Sequence, residues 1–192
     1  MTRLALLFAT LALAGAVPQK YTYWVQPCTD AASMCQPDDP QLAAWAFEAW
    51  QKASGGELEF TRVKGPEHAR IRLYWASAEQ GMYGETRPMF FEGHVGAEVY
   101  VLPSPLRANG DRLLRDAIVY LTCLHESGHA LGLTHTAVFE DIMYSFQYGG
   151  DFNEYFGRYR RKLATRADIA KNSGLSAADR ARLIAISKTD RP

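Results

Sequence analysis

Residues 120–135 read Tyr-Leu-Thr-Cys-Leu-His-Glu-Ser-Gly-His-Ala-Leu-Gly-Leu-Thr-His, and this spacing predicts a helix that carries chemistry. His125 and His129 are four residues apart, so on a helix they stand one turn above each other and aim two imidazole nitrogens at one point. Glu126 lies between them, where a carboxylate can reach a metal-bound water without becoming a ligand, and it is the candidate general base. Gly132 falls where a helix can end in a left-handed residue that glycine adopts without strain. A turn there brings His135 back toward the same point, giving three neutral imidazoles and an open fourth position, as a catalytic zinc requires. Any one histidine alone reads as an ordinary surface or core residue; the glycine and the third histidine in register make the pattern specific.

HESGHALGLTH, with Met143 in Asp141-Ile142-Met143-Tyr144 eight residues beyond His135, resembles the metzincin clan of zinc endopeptidases, and specifically its matrixin branch. The resemblance implies an α+β fold: a mixed twisted β-sheet with an active-site helix, a backing helix and a C-terminal helix. It also implies that Met143, which alone would read as a core residue, forms a turn that floors the zinc site without ligating the metal. YTYWV, AFEAW, LEFTRV and HARIRLYW carry the likeness further along the chain.

The 192 residues, 47% hydrophobic and 12% aromatic, suffice for one domain with a sizeable core. Lys plus Arg and Asp plus Glu are 21 each, so overall charge points to neither nucleic acid nor an anionic membrane. Met1 to Ala16 reads as a signal peptide: Arg3, an apolar run from Leu4 to Leu13, then Ala14-Gly15-Ala16. A membrane anchor is the other reading, but the run is short for a bilayer. Export and cleavage before Val17 are expected, leaving a secreted or periplasmic domain over 17–192 with no membrane span. Cys28 and Cys35 flank a short polar loop and fit a disulfide in that compartment, against free thiols or a metal pair. Cys123 is left over, as a buried inert thiol rather than a nucleophile.

Along the chain, Tyr21 to Gln26 reads as a first strand. Asp39 as N-cap and Pro40 open a helix with Leu42, Ala43, Ala46, Phe47 and Trp50 on one face, stopped by Gly55-Gly56. Alternation predicts strands around Leu58–Val63 and Arg70–Trp75. The stretch 76–91 reads as irregular. Val95, Ala97, Val99 and Val101 alternate in a strand that ends at Pro103-Ser104-Pro105 as an edge would. In matrixin-like enzymes the edge strand borders the cleft and pairs with extended substrate, which would make Gly96, Ala97, Glu98 and Val99 substrate-binding; a merely structural strand is the plainer alternative. Asn109-Gly110-Asp111 introduces the motif helix, with Leu113, Leu114, Ala117, Ile118 and Leu121 on its apolar face.

Past Met143 the chain departs from the family pattern. Ser145 stands where matrixins usually have proline, and about thirty residues separate it from a closing helix near Ser176. Aromatic and basic residues fill 144–174; in the family this segment walls the pocket after the scissile bond. Solvated charges over a small packed helix are the ordinary account, and nucleic-acid binding is not expected. Ser176 caps the last helix, with Leu183, Ile184 and Ala181 facing inward. The resemblance offers Asp179 as a receiver of the mature N-terminal ammonium; an exposed first-turn carboxylate is the alternative.

Three neutral histidines leave zinc its full charge, so zinc-activated water with Glu126 as base would hydrolyse peptide bonds within extended polypeptides. A second, structural zinc is not expected, because only His68 and His94 remain. Calcium is open through carboxylates and backbone oxygens, although no calcium-loop motif occurs. No room is expected for the family's inhibitory propeptide; Cys35-Gln36-Pro37-Asp38 is only superficially similar to its cysteine segment. A monomer restrained by a separate protein inhibitor follows. The alternatives are a non-catalytic zinc protein that grips polypeptides, against which Glu126 argues, and a processing or toxin protease of narrow specificity.

Overall fold

Strand β1 (Gln19–Val25) places Tyr21, Tyr23 and Val25 on a buried face, and β3 (Ile71–Trp75) does the same with Ile71, Leu73 and Trp75. This is the period of two that lets one side of a sheet cover a core. The chain is described by a computed structural model over residues 17–77, 83–103, 108 and 110–189. The expected signal peptide at 1–16 lies outside the described residues, as do Ser104, Pro105 and Asn109. Among those described, β1 pairs in parallel with β2 (Leu58–Arg62) and β3, and β3 pairs in parallel with β5 (His94–Val101). Strand β4 (Gly84–Phe91) completes the mixed sheet antiparallel to β5, in the order β2-β1-β3-β5-β4. With the helices on its buried face, the fold is α+β.

This order overturns the expectation that β5 is the edge. Ala97 lies in register with Ile71 on one side and Pro88 on the other, Glu98 with Arg72 and Arg87, and Val99 with Leu73 and Thr86. Gly96 faces Met89, and the Ala97 N–H is bonded to the Arg70 carbonyl. These four residues therefore have no free backbone edge for a substrate. The edge is β4, from the stretch that reads as irregular. Pro88 masks the strand in sequence, yet an edge strand tolerates a residue that donates no hydrogen bond. The β4–β5 turn is Glu92-Gly93, both at positive φ (47° and 79°), as a two-residue type I′ hairpin needs.

Helix α1 (Asp39–Ala53) buries Leu42, Phe47 and Trp50 completely and stacks Phe47 on Tyr23. Trp50 Nε1 donates to the Leu124 carbonyl (3.0 Å) and to Ser127 Oγ (3.1 Å) of α2 (Arg112–Ala130), so α1 backs the motif helix. Asp39 is not the N-cap; Asp38 holds that position without a side-chain cap. Asp39 is wholly buried and grips both terminal nitrogens of Arg115, whose Nη2 also donates to the Pro103 carbonyl at 3.0 Å. Asp116, beside Arg115, pairs with Arg166 at 2.6 Å. A disulfide joins Cys28 and Cys35, with Cα atoms 5.4 Å apart, just before α1.

Residues 144–174 contain a helix, α3 (Phe152–Arg160), capped by Asp151, which accepts from the Asn153 and Glu154 amides. The closing α4 (Ala177–Thr189) follows Ser176, whose Oγ accepts from the Asp179 amide. Its inward face is Asp179, Leu183 and Ser187; Ile184 is half-buried and Ala181 is exposed, correcting the expected face.

Removing one partner of a buried ion pair strands the other. Asp39→Ala is therefore expected to lower the free energy of unfolding by about 3–5 kcal/mol in urea denaturation. A loss under about 1 kcal/mol, the scale of an exposed pair, would contradict that role.

Candidate metal centre

The motif helix begins on a cap, the Asp111 carboxylate accepting from the Leu114 N–H at 3.0 Å, and ends at Ala130. Gly132 has φ +91°, and the Leu133 N–H reaches back to the Gly128 carbonyl at 3.0 Å. This closure satisfies the helix end and turns the chain, as a left-handed glycine permits. His135 is thereby returned to the helix: its Nε2 lies 3.2 Å from Nε2 of His125 and 3.1 Å from that of His129. Nitrogens bound tetrahedrally at about 2.0–2.1 Å stand about 3.3–3.4 Å apart, so the three fit a zinc ion with one position left open.

The remaining ring nitrogens fix the tautomers. His125 Nδ1 is 2.6 Å from the Ile142 carbonyl and His129 Nδ1 is 2.8 Å from the Leu133 carbonyl. A carbonyl only accepts, so both Nδ1 atoms carry hydrogen and both Nε2 lone pairs are free for a metal. Burial pushes the His125 pKa down to about 4, with the Ile142 bond opposing and the other histidines adding to the shift. Burial also lowers His129. Both are thus neutral at ordinary pH, the form a metal ligand needs.

Beneath them, the Thr136 N–H donates to the Met143 carbonyl at 2.9 Å, and Thr136 bridges to Tyr144. Met143 is fully buried against the helix: a Cβ on Gly128 would lie 2.6 Å from its Sδ and 3.0 Å from Trp50 Cζ2. The glycine between the motif histidines is the gap that Met143 and Trp50 fill. Ile142 is held from both ends, its N–H donating to Asp179 Oδ2 at 2.8 Å and its carbonyl meeting His125. Asp141, nearly inaccessible, accepts from Thr136 (3.0 Å), Ser176 (2.6 Å) and Arg182 (2.7 Å). Arg182 also donates to Asp179 Oδ1 at 2.8 Å, and the Ser176 amide donates to Oδ2. Asp179 is therefore not an exposed carboxylate: it is wholly buried, with Arg182 as its cation and the Ile142 and Ser176 amides as its other donors.

Helix α3 packs behind this turn. Tyr155 Oη donates to the Asp141 carbonyl at 2.9 Å, and Phe139, Tyr144, Phe146, Phe152, Tyr155 and Phe156 stack into one aromatic cluster. Among the basic residues here, Arg158 lies over the Phe139 and Tyr155 rings, Arg160 binds Asp111, and Arg161 binds Glu154. A cleft of about 850 Å³ runs between β4, the end of α2 and this aromatic segment, lined in part by Gly84, Thr86, His125, Glu126, Tyr144 and Phe146. Gly96 and Ala97 also line it; Glu98 and Val99 do not.

Glu126 is 7% exposed. Burial lifts its carboxyl to about 7, against the Thr86 hydroxyl at 2.7 Å, which favours the charged form; Glu85 adds a smaller upward push. Cys123 is completely buried, which carries its thiol well above the usual range. His68 and His94 are exposed and join no group of three potential ligands among the described residues. Cys28, Cys35 and Asp39 lie close together, but the sulfurs are bonded to each other and the carboxylate to Arg115. Thr86, Asp141, Tyr155 and Arg182 escape the sequence reading; only Asp141, two residues before Met143, stood near a signal.

A family model described as Matrixin matches residues 17–154. Karilysin of Tannerella forsythia is 30% identical over 117 residues, 54% of this chain and 23% of that protein. The chain thus spans about a quarter of the length of the curated relative it matches.

Two outcomes follow. Gly128→Ala forces Met143 and Trp50 to shift in a close-packed core, an overpacking expected to cost about 1–3 kcal/mol in denaturant unfolding; an unchanged midpoint would contradict it. In metal-free protein the folded-state pKa of Glu126 is raised from 4.5 to about 7. Its favourable contribution is therefore present below about pH 4.5 and lost as pH rises through 7. Glu126→Gln, fixed in a neutral form, should melt above the metal-free parent at pH 8, with the gap closing toward pH 4. Equal melting at pH 8 would contradict the shift.

Proposed function

The chain belongs to the matrixin family of zinc metallopeptidases, and from that premise we propose that it is an extracytoplasmic endopeptidase hydrolysing peptide bonds in extended polypeptides. The observation that carries this reading is the convergence of three imidazole Nε2 atoms, 3.1–3.2 Å apart where paired, on the floor of a cleft that also holds Glu126. His125, His129 and His135 would hold one zinc. Bound there, zinc supplies Lewis-acid polarisation of a water and a carbonyl, lowering the water's pKa toward about 7.

The protein's own groups do the rest. The Glu126 carboxylate takes the proton of the attacking water and returns it to the departing amine. Water attacks directly, so no acyl intermediate forms on the chain. The outer edge of β4 would offer backbone N–H and C=O groups to a substrate strand, a pairing largely independent of the substrate's side chains. The aromatic segment from Tyr144 to Phe156 lines the cleft and would receive an apolar side chain. In this reading residues 1–16 are removed as a signal peptide, and the Cys28–Cys35 disulfide agrees with an oxidising compartment. No helix among the described residues is long and apolar enough to cross a membrane.

Casein digestion tests the proposal. The zinc-loaded protein should cleave casein, a chelator should abolish cleavage and added zinc should restore it. Glu126→Ala should still bind one zinc while cleaving about 10²–10⁴-fold more slowly. Chelator-resistant cleavage, or parental cleavage by Glu126→Ala, would overturn the assignment.

A further inference from the structure

Glu126 carries a contact that the hydrolytic chemistry does not by itself require. Gly84 and Thr86 of β4 lie opposite Val101 and Val99, both fully buried. Residues opposed across an antiparallel pair share a face, so Gly84 and Thr86 turn toward α2. Thr86 Oγ1 donates to Glu126 Oε2 at 2.7 Å and lies 2.9 Å from the main-chain carbonyl of the same residue. One hydroxyl thus spans the side chain and the backbone of Glu126 and fixes the torsions between them. Gly84 supplies the space: a Cβ there would sit 2.5 Å from Glu126 Oε1 and 2.6 Å from Cγ. Its φ is not in the left-handed region, so the glycine answers to the carboxylate and not to a turn.

We infer that Thr86 is the positioning residue of the general base: its hydroxyl holds the Glu126 carboxylate, in the space left by Gly84, at the orientation from which it takes the water's proton. The inference rests on Glu126 being that base. A base must come within about 2.6–3.2 Å of the proton it removes, and an error of about 1 Å can lower a rate about 100-fold. A buried carboxylate also needs a donor, and Thr86 is the one among the described residues. Its location on the edge strand ties the base to the strand that receives substrate.

Steady-state kinetics on a casein-derived fluorogenic peptide test this, with zinc content and melting temperature measured on each variant. Thr86→Val keeps the shape and loses the hydroxyl. It should retain one zinc and a melting point near the parent's, keep KM within about twofold, and lose at least about tenfold in kcat. Thr86→Ser should recover kcat to within about threefold, since it restores the donor. Thr86→Val in a Glu126→Gln background should be no slower than Glu126→Gln alone. Gly84→Ala keeps Thr86 but places a methyl against the carboxylate, and should also lose about tenfold in kcat. Parental kcat in Thr86→Val or in Gly84→Ala overturns the inference, as does Thr86→Ser as slow as Thr86→Val, or losses that multiply in the double variant. A slow Glu126→Gln beside an unimpaired Thr86→Val sinks the positioning role alone; a fully active Glu126→Gln sinks the base assignment and this inference with it.

Discussion

The peptide group of Ile142 is the constraint on which the metal centre depends. Its N–H is fixed by Asp179 from α4, and its carbonyl by Nδ1 of His125 from α2. One rigid planar unit therefore transmits the position of the closing helix to a candidate metal ligand. Around it, Asp141 and Arg182 bind each other, and Arg182 reaches on to Asp179. Tyr155 secures the Asp141 carbonyl from α3. Segments distant in sequence thus converge on a few backbone atoms, which is how a protein holds ligand geometry to a fraction of an ångström. Asp141 and Asp179 are nearly inaccessible, yet each is met by Arg182 and by several donors, the condition under which buried charge is tolerated.

The same logic supports the helix from its other side. Trp50 bonds the Leu124 carbonyl and Ser127, and Met143 enters the gap at Gly128. Asp39 and Arg115 lock the first turns of α1 and α2 together. His125 and His129 consequently project from a helix clamped along its length, and Glu126, lining the same cleft, is met by Thr86 of β4. Burial then acts in two directions: it keeps His125 and His129 neutral and makes the Glu126 carboxyl easier to protonate. Both effects suit chemistry near neutral pH.

What was legible in the sequence was local. His125, His129 and Gly132 announce themselves through helical spacing and a helix stop, and β1 and β3 through strict alternation. The role of Met143 came from resemblance, since nothing in its own neighbourhood marks it. Strand β4 was hidden because Pro88 interrupts its pattern and its turn is Glu-Gly instead of a strong turn pair. With β4 hidden in this way, β5 reads as the edge. Asp39 sits at a helix start, where capping is the local expectation, but its partner Arg115 is 76 residues away; Asp179 reads as an exposed first-turn carboxylate because the Ile142 amide that it accepts from lies 37 residues earlier in the chain. The helix inside 144–174 is short, with Gly157 within it, and Tyr155 is buried by Phe139 and Tyr144, neighbours that sequence does not reveal.

The most direct measurement is a crystal structure of the zinc-loaded protein with anomalous data collected at the zinc edge. The account predicts one peak at about 2.0–2.1 Å from Nε2 of His125, His129 and His135, with His125 Nδ1 still bonded to the Ile142 carbonyl. A peak elsewhere, or histidines that bind metal only after that bond has broken, would contradict it.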